Sequence, residues 1–234
     1  MALPAPLPPP RRALGARPQL SDEAAARIRE LILDGRLRPG DYLRLERLAV
    51  RFGISVTPVR EALKSLRSEG FVVLEPRRGF VVAPLSERDV RDLFWVQAGI
   101  AAELTARAAP RIGAAALREL DGLQRALERA MAARRPDLME EYDHLFHREI
   151  NLAADSPKLA WSLATAARYV PRGLYRRLDD WPGLAVRDHA RILAALRDGD
   201  GRTAAAEMRG HIVRTGELLT AHLERRGLWR PPDH

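Results

Sequence analysis

Between residues 21 and 85 the spacing of apolar residues switches from helical to alternating and back, and this switch restricts the fold more than any other feature of the chain. Ser21-Asp22-Glu23 followed by AAARIRELILDG predicts an N-capped helix with Ile28, Leu31 and Ile32 as its stripe and Gly35 as its stop. LRPGDYL predicts a turn at Pro39-Gly40. RLERLAVRFG predicts a second, short helix with Leu45, Leu48, Ala49 and Phe52 inward and Gly53 as terminator. After the bend GIS, TPVREALKSLRSEG predicts a third helix. Thr57 is its expected N-cap and Pro58 its first residue, where a missing N–H costs nothing. Val59, Leu63 and Leu66 face its core, and Gly70 closes it. In FVVLEPRRGFVVAPL two short β-rich runs, 71–74 and 80–83, flank the basic turn Pro76-Arg77-Arg78-Gly79. Helix, helix–turn–helix and hairpin together describe a winged helix. Its third helix would enter a DNA major groove, and its arginine-tipped hairpin would contact backbone or minor groove. Small helix–hairpin units also serve as protein docking modules, so the pattern alone leaves both readings open.

Charge favours the nucleic acid. The net charge of +8 is uneven: residues 1–20 carry three Arg and no acid, 21–84 carry 12 basic and 9 acidic residues, and 85–234 carry 24 and 22. Positive charge is thus densest toward the N-terminus, which suits a polyanionic partner, although Arg-rich usage also follows from a GC-rich genome. MALPAPLPPPRRALGARPQL, residues 1–20, has no apolar core for an export signal and is expected to be a disordered arm. No run of 18 apolar residues exists, so no membrane span is expected. The chain has no cysteine, which excludes disulfides and thiolate ligands and fits a cytoplasmic location.

Residues 85–228 carry helical spacing almost throughout and predict an all-α antiparallel bundle of about six helices. Ser86 caps the first of these. Pro110 to Gly113, Pro136, Asp155-Ser156-Pro157, Trp181-Pro182-Gly183 and Gly201 mark the breaks, and Pro171 is expected to kink or split the fourth helix. The fold class is therefore mainly α: an N-terminal winged helix, 21–84, followed by a helical bundle, 85–228.

Within the bundle, Asp143 and His147 are four residues apart and share one helix face, while His144 points elsewhere. His189 and His211 lie in later helices. One carboxylate and three imidazoles make a borderline ligand set suited to Zn²⁺, with Ni²⁺, Fe²⁺ or Mn²⁺ as alternatives. Helical histidines are equally at home as surface or satisfied core residues, so spacing alone does not choose. A metallohydrolase would need a positioned general base as well, and neither Glu149 nor Asp188 is obviously one. A ferritin-like di-iron bundle would need two Glu-x-x-His pairs, where only Glu141-x-x-His144 is found. Trp95, Phe94 and Leu93 in the first bundle helix fit either core or subunit interface.

GRLRPGDYL, LAVRFGISVTPVREALKSLRSEGFV and RRGFVVAPLS resemble the DNA-binding domain of GntR-family transcription regulators. Asp143-x-x-Phe146-His147, Asp188-His189-x-x-Ile192-x-x-Ala195-Leu196-x-x-Gly199-Asp200 and His211 resemble the FCD ligand-sensing domain of the family's FadR/VanR branch. Six helices favour the VanR-like form. The resemblance implies a homodimer on a palindromic operator of double-stranded DNA, commonly a repressor that releases DNA when a metabolite binds. It implies that Arg60 contacts the operator, with Thr57 and Val56 beside it and Lys64, Arg67, Arg77, Arg78 and Gly79 on the backbone. It also implies a divalent metal held by Asp143, His147, His189 and His211, and a small organic acid that chelates it. Arg172, Arg176, Arg214 and Gln97 are candidate effector contacts, although for each arginine taken alone a solvated helix face is the more common reading. A metal-free effector pocket is the alternative. The chain departs from the family pattern at Val56, where Arg is frequent, and at Leu45-Glu46, where Glu-Arg is frequent. Asp188 replaces Glu, Ser156 replaces Asn, and Gln97 and Ala101 stand where Arg and Glu are common.

Overall fold

The computed structural model describes residues 20–167, 173 and 177–227. Residues 1–19 of the expected N-terminal arm, Pro171, Arg172 and Arg176 lie outside the described residues, whereas Leu20 is helical. The winged helix comprises α1 (Leu20–Leu33), α2 (Leu45–Phe52), α3 (Val56–Ser68), β1 (Val72–Glu75) and β2 (Gly79–Val82). Six helices follow among the described residues: α4 (Glu87–Ala108), α5 (Ala114–Ala132), α6 (Pro136–Ala153), α7 (Pro157–Ala166), α8 (Trp181–Arg197) and α9 (Gly201–Arg225).

Local chemistry explains most boundaries. Gly53 ends α2 in the left-handed conformation (φ 66°), and its N–H bonds back to the last turn. Ser86 and Asp89 cap α4 reciprocally: each side chain accepts the other's backbone N–H. Ser55, not Thr57, is the N-cap residue of α3. Thr57 and Pro58 are its second and third residues, and proline is tolerated there because first-turn amides have no intrahelical partner. Three helices begin earlier than their break signals suggest. α1 starts at Leu20, ahead of Ser21. α8 takes Trp181-Pro182-Gly183 into its first turn, because Trp181 is buried and anchors that turn. α9 starts at Gly201, capped by the Asp200 side chain accepting from the Thr203 N–H.

β1 and β2 pair antiparallel, with Glu75 opposite Gly79. Arg77 sits at φ 66° in the turn closed by the Arg78 N–H on the Glu75 carbonyl at 3.2 Å. The Pro39-Gly40 turn does more than reverse the chain. The Leu43 N–H donates to the Phe80 carbonyl at 2.9 Å and the Val82 N–H to the Asp41 carbonyl at 3.0 Å, so residues 40–43 shield the outer edge of β2.

The core of the winged helix is continuous with that of the bundle. Ile28, Ile32, Leu63, Leu66 and Phe71 pack in one cluster with Val90 and Phe94 of α4 and Leu219 and Leu223 of α9. A second cluster, deeper in the bundle, joins Leu104, Leu120, Phe146, Ile150, Ile192 and Met208. Among Leu93, Phe94 and Trp95, only Phe94 is core; Leu93 lines the seam between the two parts, and Trp95 is 68% exposed. Asp34 accepts an ion-paired hydrogen bond from Arg177 at the seam.

α4 and α9 approach closely because Gly216 has no side chain. A Cβ there would lie 2.5 Å from Phe94 Cγ and 2.7 Å from Phe94 Cβ. Gly216→Ala must therefore push two buried helices apart, and we expect it to cost about 1–3 kcal/mol in urea denaturation. Unchanged stability would show that this approach is looser than the structure has it.

Candidate DNA-reading surface and metal centre

The helix–turn–helix leaves one face of α3 uncommitted to packing. Val59, Ala62, Leu63 and Leu66 are buried against the rest of the winged helix. Thr57, Arg60, Lys64 and Arg67 are exposed on the other side, and Val56 is half-buried. Lys64 pairs with Glu61 at 3.0 Å in a solvent-exposed contact that contributes little and that a phosphate could displace. Arg77 and Arg78 are exposed at the hairpin tip, beside half-buried Gly79 (φ 88°). Glu46 is exposed on α2. These positions give α3 and the hairpin a cationic surface of the kind that reads a duplex.

The second site forms where α6, α8 and α9 meet. Asp143, His147, His189 and His211 each offer one ligand atom, and these atoms lie within 4.8 Å of one another. Asp143 Oδ1 is 3.6 Å from His147 Nε2 and 3.3 Å from His189 Nε2. Packing sets these positions. Phe146, one turn beyond Asp143, stacks flat on the His189 ring with centroids 4.1 Å apart. His189 sits at 0% exposure near Ala185 and Ile192, which are equally buried. His211 lies on α9 one turn after buried Met208. His144 is exposed and takes no part.

Electrostatics sharpen the picture. Burial works to raise the Asp143 carboxyl, but His147, followed by His189, lies beside it, outweighs that effect and holds the group ionised. Burial pushes His189 down to about 4, against the pull of Asp143, and it lowers His211 as well. Neutral imidazoles around an ionised carboxylate are what a metal ion requires. Asp143 Oδ1, both nitrogens of His189 and His211 Nδ1 are buried without a hydrogen-bond partner among the described residues. Orphaned buried donors and acceptors are costly, and a coordinated cation would satisfy those that face it. The donor set thus fits a divalent ion.

Of the candidate effector residues, Arg214 is turned onto Asp188, with Nη2 2.9 Å and Nε 3.1 Å from Oδ2. Gln97 Nε2 and Thr215 Oγ1 are buried without a hydrogen-bond partner among the described residues. Arg172 and Arg176 lie outside the described residues. Asp188 is legible in the sequence as the residue before His189 in the FCD-like motif, and Thr215 lies one helical turn after His211 on α9. Burial would raise the Asp188 carboxyl, but His211 and the Arg214 guanidinium beside it prevail and lower it. Glu149 is half-buried on α6 but off the Asp143–His147 face.

The buried neutral histidines fix a sign for the metal-free protein. His189 binds its proton near pH 4 when folded and near 6.5 when unfolded, so across that interval the unfolded chain holds more protons. Stability should therefore fall as pH drops from about 6.5 toward 4. Thermal midpoints of chelator-treated protein across this range check it, and a flat profile would contradict it.

Two family models match the chain. Residues 20–82 match the bacterial regulatory proteins of the gntR family, and residues 92–214 match the FCD domain. The HTH-type transcriptional repressor RspR of Escherichia coli strain K12 is 28% identical over 195 residues, spanning 82% of this chain and 85% of that protein. YdfH of Escherichia coli O6:H1, an HTH-type transcriptional regulator, is 27% identical over 209 residues, spanning 88% and 91%. Among solved structures, E. coli McbR/YncC superposes with a TM-score of 0.66 at 22% identity, over 88% of this chain and 99% of that one. A GntR regulator from Rhodococcus sp. RHA1 gives 0.59 at 20% identity, over 86% and 97%. No helix among the described residues is long and apolar enough to cross a membrane. With the FCD match alone covering more than half of its length, the chain belongs to the GntR family of bacterial transcriptional regulators, in the branch that carries an FCD domain, and it is a regulator and not an enzyme.

Proposed function

We propose that this regulator binds a palindromic operator as a homodimer in the cytoplasm, represses its target, and is released by a small organic acid sensed at a metal centre in the FCD domain. The observation that carries the sensing half is the convergence of Asp143, His147, His189 and His211 with orphaned buried ligand atoms. A divalent ion held there, Zn²⁺ first and Ni²⁺, Fe²⁺ or Mn²⁺ next, would supply positive charge and open positions for the acid's oxygens.

The chain's own residues do the rest. Asp143 would offset the ion's charge, and burial disfavours protonation of His189 and His211. Gln97 Nε2 and Thr215 Oγ1 are free to bond a polar substituent of the acid. Arg214 is a further candidate for its carboxylate, as are Arg172 and Arg176. Repression is the direction named for RspR, and the family's helix–turn–helix supports a two-fold operator. An acid changes DNA affinity only by binding one arrangement of the paired winged helices better than the other.

On the DNA side, Arg60 is the expected base contact, with Thr57 and Val56 beside it. Lys64, Arg67, Arg77 and Arg78 are the expected phosphate contacts. Arg60→Ala should weaken binding to an operator selected from random duplexes by about ten- to a hundredfold, the value of one bidentate base contact. Arg77→Ala should weaken all duplexes alike and lessen the salt dependence. Equal effects of both substitutions on specificity would refute the division of roles.

On the sensor side, a thermal-shift screen of hydroxy- and sugar-acids with and without chelator is decisive. The reading expects stoichiometric metal by elemental analysis and at least one acid whose stabilisation disappears with chelator. An acid that stabilises metal-free protein equally would instead establish a metal-free pocket.

A further inference from the structure

We infer that Asp188 is the positioning residue of the centre: it fixes which nitrogen of His211 carries the proton and so which nitrogen faces the metal. The inference rests on the metal reading above and adds a residue to it. Asp188 precedes a proposed ligand but is not one of the four converging groups. Its side chain is 3% exposed, and an ionised carboxylate at that depth requires partners. It has three. Arg214 Nε and Nη2 lie 3.1 and 2.9 Å from Oδ2, Arg191 Nη1 lies 3.8 Å from Oδ1, and His211 Nδ1 lies 3.4 Å from Oδ2.

The His211 contact is the informative one. Nδ1 is buried, makes no hydrogen bond among the described residues, and has the Asp188 oxygen beside it. At 3.4 Å the pair is a few tenths of an ångström from a full N–H···O bond. Neutral imidazole carries one proton on either nitrogen. With the proton on Nε2, His211 would set a lone pair against the carboxylate and leave Nε2 unable to coordinate. With the proton on Nδ1, it donates to Asp188 and keeps the Nε2 lone pair. A carboxylate behind an imidazole also raises its basicity as a ligand.

Arg214 completes the arrangement from the other side. It offsets the Asp188 charge, and Gly210 makes room for it: a Cβ at Gly210 would lie 2.7 Å from Arg214 Nη1. The sequence from solvent inward is therefore guanidinium, carboxylate, imidazole, centre.

The test compares wild type with Asp188→Asn, which keeps the shape, and Asp188→Ala, which removes it. Zn²⁺ affinity is measured by competition with a chromophoric chelator, and the His211 tautomer by ¹⁵N chemical shifts of the metal-free protein. DNA binding by the winged helix reports that each variant is folded. The inference expects the Nδ1–H form in wild type, its loss in the variants, and Zn²⁺ binding weaker by about ten- to a hundredfold. Unchanged affinity in both variants, or an Nε2–H wild type, overturns it while leaving the metal reading intact. A wild-type chain that takes up no Zn²⁺ removes the metal reading itself, and this inference falls with it. Should Asp188→Ala fail to fold, Asp188→Asn decides alone.

Discussion

A carboxylate cut off from water has to be surrounded by groups that favour its charge, and Asp143 shows how far that requirement shapes this protein. It sits on α6 within 3.6 Å of His147 on its own helix and 3.3 Å of His189 on α8. His211 completes the cluster from α9. Three helices are thus bound to one point by polar groups inside an apolar bundle. Phe146 and Ile192 press on the centre from α6 and α8, and stacking of Phe146 on His189 limits ring rotation. A slip along any one of these helices would carry its side chain away from the shared point.

α9 connects that centre to the DNA-reading half. It carries His211 near its middle and Leu219 and Leu223 two and three turns later, where they share a core with Ile32, Leu66 and Phe71 of the winged helix. The helix is held against α4 by the absence of a side chain at Gly216, and near its end Arg226 reaches the Asp34 carbonyl at 3.5 Å. α9 therefore places side chains both at the centre and at the seam. Coupling between sites needs an element that both sites bias, and α9 is in physical contact with each.

Much of this was readable in the chain. The switch in apolar period around 71–83 implies the hairpin because strands and helices expose side chains with different repeats. Gly53 and Ser86 mark helix ends because their backbone and side-chain chemistry act within a few residues. Asp143 and His147 share a face by helix geometry alone. Boundaries were less legible at two helix starts: buried Trp181 draws Pro182 and Gly183 into α8, and Ser55 replaces Thr57 as the N-cap of α3. The edge pairing of residues 40–43 with β2 was also hidden, since it depends on a strand 40 residues away.

What the sequence determined by itself was the order and kind of elements, the cationic face of α3, and the identity of the four candidate ligands by family resemblance. Each depends on neighbours within a turn or two, or on a recurring pattern. The tertiary structure alone decided that these ligands meet, that Phe94 is core while Trp95 is not, and that Arg214 turns to Asp188. Those outcomes depend on which helices pack together, and residues such as 143, 189 and 211 become neighbours only when a long loop entropy is overcome by burial of the helices between them.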